Sequence, residues 1–564
     1  MSFKKCGSVF CFLFVILLIL SACSTPTPET VEKVITQVVK ETVVIEGTPQ
    51  TIEREVTVVV QSTPEVVEKE VTRIVEVEKP IEEEKGGGTL YIGHPTDPTT
   101  LNPYSTMSSR QSVFGQIAEQ LIMFDATGNE IVPWLASGWE WVDDKTLRIK
   151  LREGIKFTNG EVFDSKAAKY SLDMVGNNPE MVWIVQGSFD RTEIVDDYTV
   201  DLFVTGRAGA WLAILARNSF VVPPDHVEDV GIEAFANQPI GTGPYMLKEW
   251  IRDDHITLEA NKDYWGGPPP MDQIVFKVIP EEGARLAALE IGEVDLITNI
   301  SSSSVKRIGA NPETVLSVSP GLRLFATFFH ELDYVSPVQD KLVRQALNYA
   351  VDKEGLVELQ GGFATVMSAQ WLAPSIYGFN EDIQPYPYDP EKAKELLAEA
   401  GYPDGFDIRM GYTVGRYAMD KEMGEAVAAY LGDVGVRAEQ IAVEPGEFFR
   451  LIQAGEMGPL QQWGALTPPD PCTTLGIFAI GSEMRRFGER GNDLDDLLYR
   501  VCEVTDRTEQ KEIIERITET MADDPPGIYL TIPDDIYGIR SNVKSFQPRI
   551  DQVLWLHDVY KTDM

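Results

Sequence analysis

An α/β body behind a non-globular leader is the architecture that three features of the sequence predict. Strand-like and helix-like periodicities alternate from about residue 89 to the end. Residues 24–88 contain no aromatic residue and no Asp, so they have little to bury. The 564 residues are 43 % apolar and 24 % charged, a globular composition with ample core for several domains.

The first 22 residues read as an address. Lys4 and Lys5 precede an unbroken apolar run over residues 9–20. Twelve residues are too short to span a bilayer as a helix, which needs about 20, and the pattern is that of a signal peptide. Leu20-Ser21-Ala22-Cys23 follows at once and resembles the bacterial lipobox, which implies lipidation of Cys23 and a place on the outer face of the cytoplasmic membrane. Cys6 and Cys11 would leave with the signal. Only Cys472 and Cys502 remain in the body, thirty residues apart, and their pairing stays open.

Residues 23–88 read as a low-complexity stalk of Val, Glu and Thr, mobile or extended. Residues 31–39, 52–60 and 67–75 are loose copies of one another, cut apart by Pro28, Pro49, Pro64 and Pro80. The first copy has helical spacing, but β-branched residues hold helices weakly. Self-association through the valines is the alternative. Gly86-Gly87-Gly88 closes the segment.

In the body, residues 146–151 alternate apolar with polar and place Leu147, Ile149 and Leu151 on one strand face. Residues 199–204 do the same. Residues 341–350 and 390–400 have amphipathic helical spacing. The second starts with Asp389 as N-cap and Pro390 at the first helical position, and Gly401 ends it. Residues 508–521 form another helix, stopped before Pro525-Pro526. The net charge is −39; the stalk holds 14 Glu against 7 Lys or Arg and the signal two Lys, so the body carries −34. Such acidity argues against nucleic acid and against docking on anionic lipid, leaving the lipid anchor as the contact with the membrane.

Several segments then fall in one order: Thr100-Leu101-Asn102-Pro103, Pro133-Trp134-Leu135-Ala136-Ser137-Gly138-Trp139, Leu151-Arg152-Glu153-Gly154-Ile155-Lys156-Phe157, Pro239-Ile240-Gly241-Thr242-Gly243-Pro244-Tyr245, Glu259-Ala260-Asn261-Lys262-Asp263-Tyr264-Trp265, and Val343-Arg344-Gln345-Ala346-Leu347-Asn348-Tyr349. Together they resemble the family 5 extracellular solute-binding proteins of ABC importers, the dipeptide-, oligopeptide- and nickel-binding type, over about residues 90–540. The resemblance implies a two-lobed clamshell of the large periplasmic-binding-protein class. Lobe 1 would hold residues 89–325, with 531–564 returning to it, and lobe 2 residues 326–530. Strands near 324–329 and 528–532 would form the hinge. A solute bound between the lobes favours closure through its differential contacts, and a permease with its ATPase would receive it from a monomeric body.

The same resemblance yields candidate ligand contacts: Thr100, Asn102, Tyr104 and Trp371 around the cleft, with Arg416, Tyr417 and Trp463 in the second lobe. Arg416 either faces the cleft or pairs with Asp420. Trp134, Trp139 and Trp141 read as core. The family's peptide binders carry an Asp shortly after a Gly-Trp pair that holds the peptide's amine; here Leu466 or Thr467 takes its place, and Asp470-Pro471 matches a later Asp-Pro. A buried ammonium without a carboxylate is costly, so a longer or capped peptide, or an oligosaccharide, stands beside a free short peptide. A metal chelate and a non-transport adhesin or scaffold are the remaining alternatives. No cofactor is implied. None of the five His sits in a His-Glu-x-x-His pattern and no Gly-x-Ser-x-Gly elbow occurs, so no catalytic or metal residue is assigned.

Overall fold

The computed structural model describes residues 33–45, 48–60 and 87–562, apart from 106–108, 182–184, 186, 332–333, 467–468, 477 and 479–492. The signal segment and Cys23 lie outside the described residues. In the leader, Lys33–Ile45 and Thr48–Val60 pair antiparallel along their whole length, with Val34 opposite Val59 and Thr36 opposite Thr57. The first two repeat copies therefore face each other as strands. Their β-branched residues suit the pleat better than the helix their spacing allows.

Two large sheets organise the body. The first has seven strands in the order Tyr245–Ile251, His255–Ala260, Gln273–Val278, Thr89–His94, Leu296–Ile297, Asp535–Arg540, Thr314–Ser319. Thr89–His94 runs parallel to both its neighbours, and Leu90 and Ile92 are wholly buried, as central parallel strands are. The second sheet has six strands in the order Ala364–Val366, Gly527–Pro533, Arg323–Phe329, Leu460–Leu466, Phe406–Thr413, Val436–Val443. A four-stranded antiparallel sheet containing Thr146–Leu151 and Thr199–Val204 belongs with the first; Leu147, Ile149 and Leu151 are buried as their alternation predicts.

Local signals set the helices. Pro390–Glu399 begins where the Asp389 side chain accepts from Lys392 N, and Gly401 beyond its end has φ +92°. Lys341–Tyr349 starts at Asp340, which accepts from Leu342 N, and Arg507–Asp523 starts at Asp506, which accepts from Glu509 N. The last runs one residue earlier and two later than its apolar spacing predicts.

Three of the shared segments meet on one residue that sequence reading passed over. Glu119 is buried, and its carboxylate accepts four hydrogen bonds. Trp134 Nε1 (2.7 Å) and the Tyr264 hydroxyl (2.6 Å) reach one oxygen; Thr242 Oγ1 (2.7 Å) and Trp265 Nε1 (2.8 Å) reach the other. Burial raises the carboxyl's pKa and the four donors oppose it. Residues 133–139, 239–245 and 259–265 are thus tied together at one buried acid. Trp134, Trp139 and Trp141 pack, partly buried, on the main hydrophobic cluster.

The chain crosses between the large sheets twice: from Ser319 to Arg323, and from Pro533 to Asp535. The crossings touch. A Cβ on Gly321 would overlap the Pro533 carbonyl oxygen, so glycine is required there. Successive residues of Arg323–Phe329 then point to opposite cores. Phe325 and Phe329 join a cluster with Val343, Leu347 and Leu530; Leu324, Ala326 and Phe328 join the larger one with the first-lobe residues Trp211 and Ile214. The helices Leu494–Glu503 and Arg507–Asp523 also enter that larger cluster. Cys472 and Cys502, left open by the sequence, form a disulfide with Cα atoms 4.9 Å apart. It lies against residues 207–209: Arg207 Nη2 is 3.5 Å from Cys472 Sγ, and Gly209 abuts the Val504 and Cys502 carbonyls.

Candidate functional site

Strand direction locates the cleft. Leu460–Leu466 runs antiparallel to Arg323–Phe329, which starts at the first crossing, so Leu460–Leu466 ends at that crossing. Phe406–Thr413 is parallel to it and Val436–Val443 to that strand, so all three end at the same rim. In the first sheet Leu296–Ile297 is antiparallel to Asp535–Arg540, which starts at the second crossing, and Thr89–His94 is parallel to Leu296–Ile297. Both sheets therefore turn the carboxyl ends of their parallel strands toward the crossings, where α/β folds bind ligands.

The loops at these ends carry most of the residues expected at the site. After Phe406–Thr413, buried Asp420 gathers the loop by accepting from Thr413 Oγ1 and from the backbone N–H of Gly415, Arg416, Tyr417 and Lys421, at 2.9–3.2 Å. That nest presents Arg416, exposed, and Tyr417, half-buried, at the rim. The Arg416 guanidinium lies 5.3 Å from the Tyr417 ring centre, and the Tyr417 hydroxyl donates to the Gly464 carbonyl at 3.0 Å. After Thr89–His94, Thr100 Oγ1 accepts from Asn102 N and Asn102 Oδ1 accepts from Tyr104 N, both at 3.0 Å, so the first two shape a turn. Tyr104 is wholly buried, with its hydroxyl 3.4 Å from the Phe220 carbonyl.

Trp463 and Trp371 come together around a residue the sequence did not single out. Phe328 stacks on Trp463 at 4.6 Å and on Trp371 at 4.8 Å between ring centres. Trp371 is buried and its Nε1 has no hydrogen-bond partner among the described residues; Trp463 keeps some exposure. Leu466 and Thr467, in the place of the family's amine-binding Asp, are respectively a strand end and a residue outside the described ones. Asp470 is buried. Its Oδ2 accepts from Thr473 N (2.7 Å) and Thr473 Oγ1 (2.8 Å), burial raises its carboxyl, and it borders a recess with Trp141, Leu212 and Arg507.

Arg323 and Asp535 open the two strands that leave the crossings, and neither was a candidate. Asp535 Oδ1 accepts from Gln552 Nε2 at 2.7 Å, while Oδ2 is buried without a partner. Burial pushes its carboxyl up to about 7. With the folded pKa raised, the native state holds the extra proton between about pH 4 and 7. This contribution to stability is complete below the ordinary carboxylate pKa and is lost as pH rises through about 7. Asp535→Asn, which cannot ionise, should gain on the wild type by up to roughly 4 kcal/mol between pH 4 and pH 8 in urea unfolding. Parallel stability profiles for the two proteins would refute this.

Among the described residues, no group of three or more His, Cys, Asp or Glu is arranged to hold a metal, and no helix is long and apolar enough to cross a membrane. The model of the bacterial extracellular solute-binding proteins, family 5 Middle, matches residues 130–485. The chain is 28 % identical to heme-binding protein A of Haemophilus influenzae over 73 % of its own length and 81 % of the relative's. It is 26 % identical to the dipeptide-binding protein of Escherichia coli over 76 % and 85 %. Among solved structures, NikA from Brucella suis in complex with Fe(III)-EDTA superposes with a TM-score of 0.76 at 25 % identity, covering 84 % of this chain and 99 % of that one. The Helicobacter pylori periplasmic binding protein DppA in complex with peptide STSA gives 0.72 at 25 %, covering 86 % and 100 %. Two sheets joined by paired crossings agree with the clamshell of these proteins, and the chain belongs to the family 5 bacterial extracellular solute-binding proteins.

Proposed function

We propose that the protein is the solute-capturing component of an ABC importer, which takes an extracellular solute, a peptide first among the candidates, between two lobes and hands it to a permease without catalysis. The observation that carries this reading is the convergence of both sheets' parallel carboxyl ends on the crossings. Relatives named as dipeptide-, glutathione-, heme- and nickel-binding support it and keep the solute class broad. In this reading the lobes are residues 89–325 with 531–564, and residues 326–530; the strands near 324–329 and 528–532, which adjoin the crossings, form the hinge. Thr100, Asn102, Arg416, Tyr417 and Trp463 touch the solute, with Tyr104 and Trp371 supporting them from the core. The leader is a stalk, and acyl chains on Cys23 hold it to the outer face of the membrane.

A thermal-shift screen of peptides, oligosaccharides and metal chelates tests the proposal. A bound solute stabilises by RT ln(1 + [L]/Kd), about 2.7 kcal/mol at a hundredfold excess over Kd. Peptides are expected to shift the melting temperature most. Silence with every class would favour a scaffold. In cells, Cys23→Ala is expected to shed the protein into the medium, and membrane retention would refute the anchor.

A further inference from the structure

We infer that Arg323 is an anion-binding residue of the cleft, taking a carboxylate of the solute; this rests on the solute-binding reading above. Arg323 is the first residue of its strand, at the rim between the crossings, and is half-buried. Its Nη1 donates to the Gly464 carbonyl at a long 3.3 Å, and its guanidinium lies 5.0 Å from the Tyr417 ring centre. Arg416 approaches the same ring, so two guanidinium groups flank one tyrosine at the end of the sheet.

No acid among the described residues lies within ion-pair distance of Arg323. Several other arginines of this acidic body do pair with carboxylates, whereas Arg285 is buried on backbone carbonyls alone. Arg148 is 2.7 Å from Asp201, Arg540 is 2.9 Å from Glu313, and Arg549 is 2.7 Å from Asp551. Partly shut from water, this guanidinium has only the longer-range pull of Asp535 and the Tyr417 side chain to offset its charge among the described residues. Burial and neighbouring Arg416 both disfavour its charged form. The groups facing it are Tyr417, Arg416, the Gly464 carbonyl and, at longer range, Asp535, whose carboxyl bonds Gln552 instead. A carboxylate arriving at the rim would supply the missing counter-charge and fit the planar fork in two parallel hydrogen bonds.

The full chain is titrated with trialanine, trialanine amide and citrate by calorimetry, as wild type, Arg323→Gln and Arg323→Lys, with melting curves to confirm folding. Saturable binding of trialanine or citrate, weakened about tenfold or more in Arg323→Gln and less in Arg323→Lys, is the expected result, with the amide unaffected by either change. Binding of the carboxylates within twofold of wild type in Arg323→Gln would overturn the inference while the cleft reading stands. Binding of the amide but of neither carboxylate would do the same. Binding of no probe by the wild type would overturn the inference, and the broader solute screen would then decide the cleft reading separately. If Arg323→Gln fails to fold, the graded loss in Arg323→Lys carries the test.

Discussion

Glu119→Ala is expected to destabilise the protein by about 4 kcal/mol, read from the urea midpoint at unchanged m-value. The substitution removes the one acceptor shared by two indole N–H groups and two hydroxyls. Each buried donor left alone costs about 1–3 kcal/mol, and the sum is reduced because neighbours relax and the carboxylate's own desolvation is recovered. Glu119→Gln keeps one oxygen but turns an amide N–H₂ toward two donors, so a loss of roughly half that size is expected. A loss under about 1 kcal/mol in the alanine variant would show that the four donors find other partners. The position ties residues 133–139, 239–245 and 259–265 to one another, because each supplies a donor to the same buried acid.

Removing the Cys472–Cys502 bridge is the second large effect. Closing a loop of about thirty residues restricts the unfolded chain by roughly 3.5 kcal/mol in the chain-entropy account. Cys472→Ser with Cys502→Ser, or reduction of the wild type, should lower stability by about 3 kcal/mol, and the melting temperature should fall accordingly. The loss should also reach the helix that follows Arg207, because Arg207 and Gly209 rest on the bridged segment. Loss of hydrogen-exchange protection at the start of the helix Ala208–Asn218 would report it. Identical melting curves with and without reductant would refute the stabilising role.

Local order was legible where one physical signal decides it. The alternation of Leu147, Ile149 and Leu151 gives a strand, and Asp389-Pro390 with Gly401 brackets a helix. Glu119 was not legible because a single acid among 88 carries no pattern; its meaning comes from donors up to 146 residues away. Phe328 reads in sequence as one more apolar residue of a buried strand, and only the packed sheets show it held between Trp463 and Trp371. Arg323 reads as a polar start to that strand. Its lack of an ion pair among the described residues appears only once the strands are placed. Arg416 and Tyr417, read as contacts, stand on the loop that Asp420 gathers. Thr100 and Asn102 read as contacts, and they also bond their own turn.

The contact between Gly321 and Pro533 bears on how such a chain can be rebuilt. Everything from Leu322 to Ile532 leaves and re-enters the first sheet at one spot, so topologically it is a guest inserted into a host. A guest whose ends already touch adds little closure entropy to the host, whatever its length. The same geometry makes the crossings natural seams for circular permutation, and for grafting one relative's second sheet onto another's first.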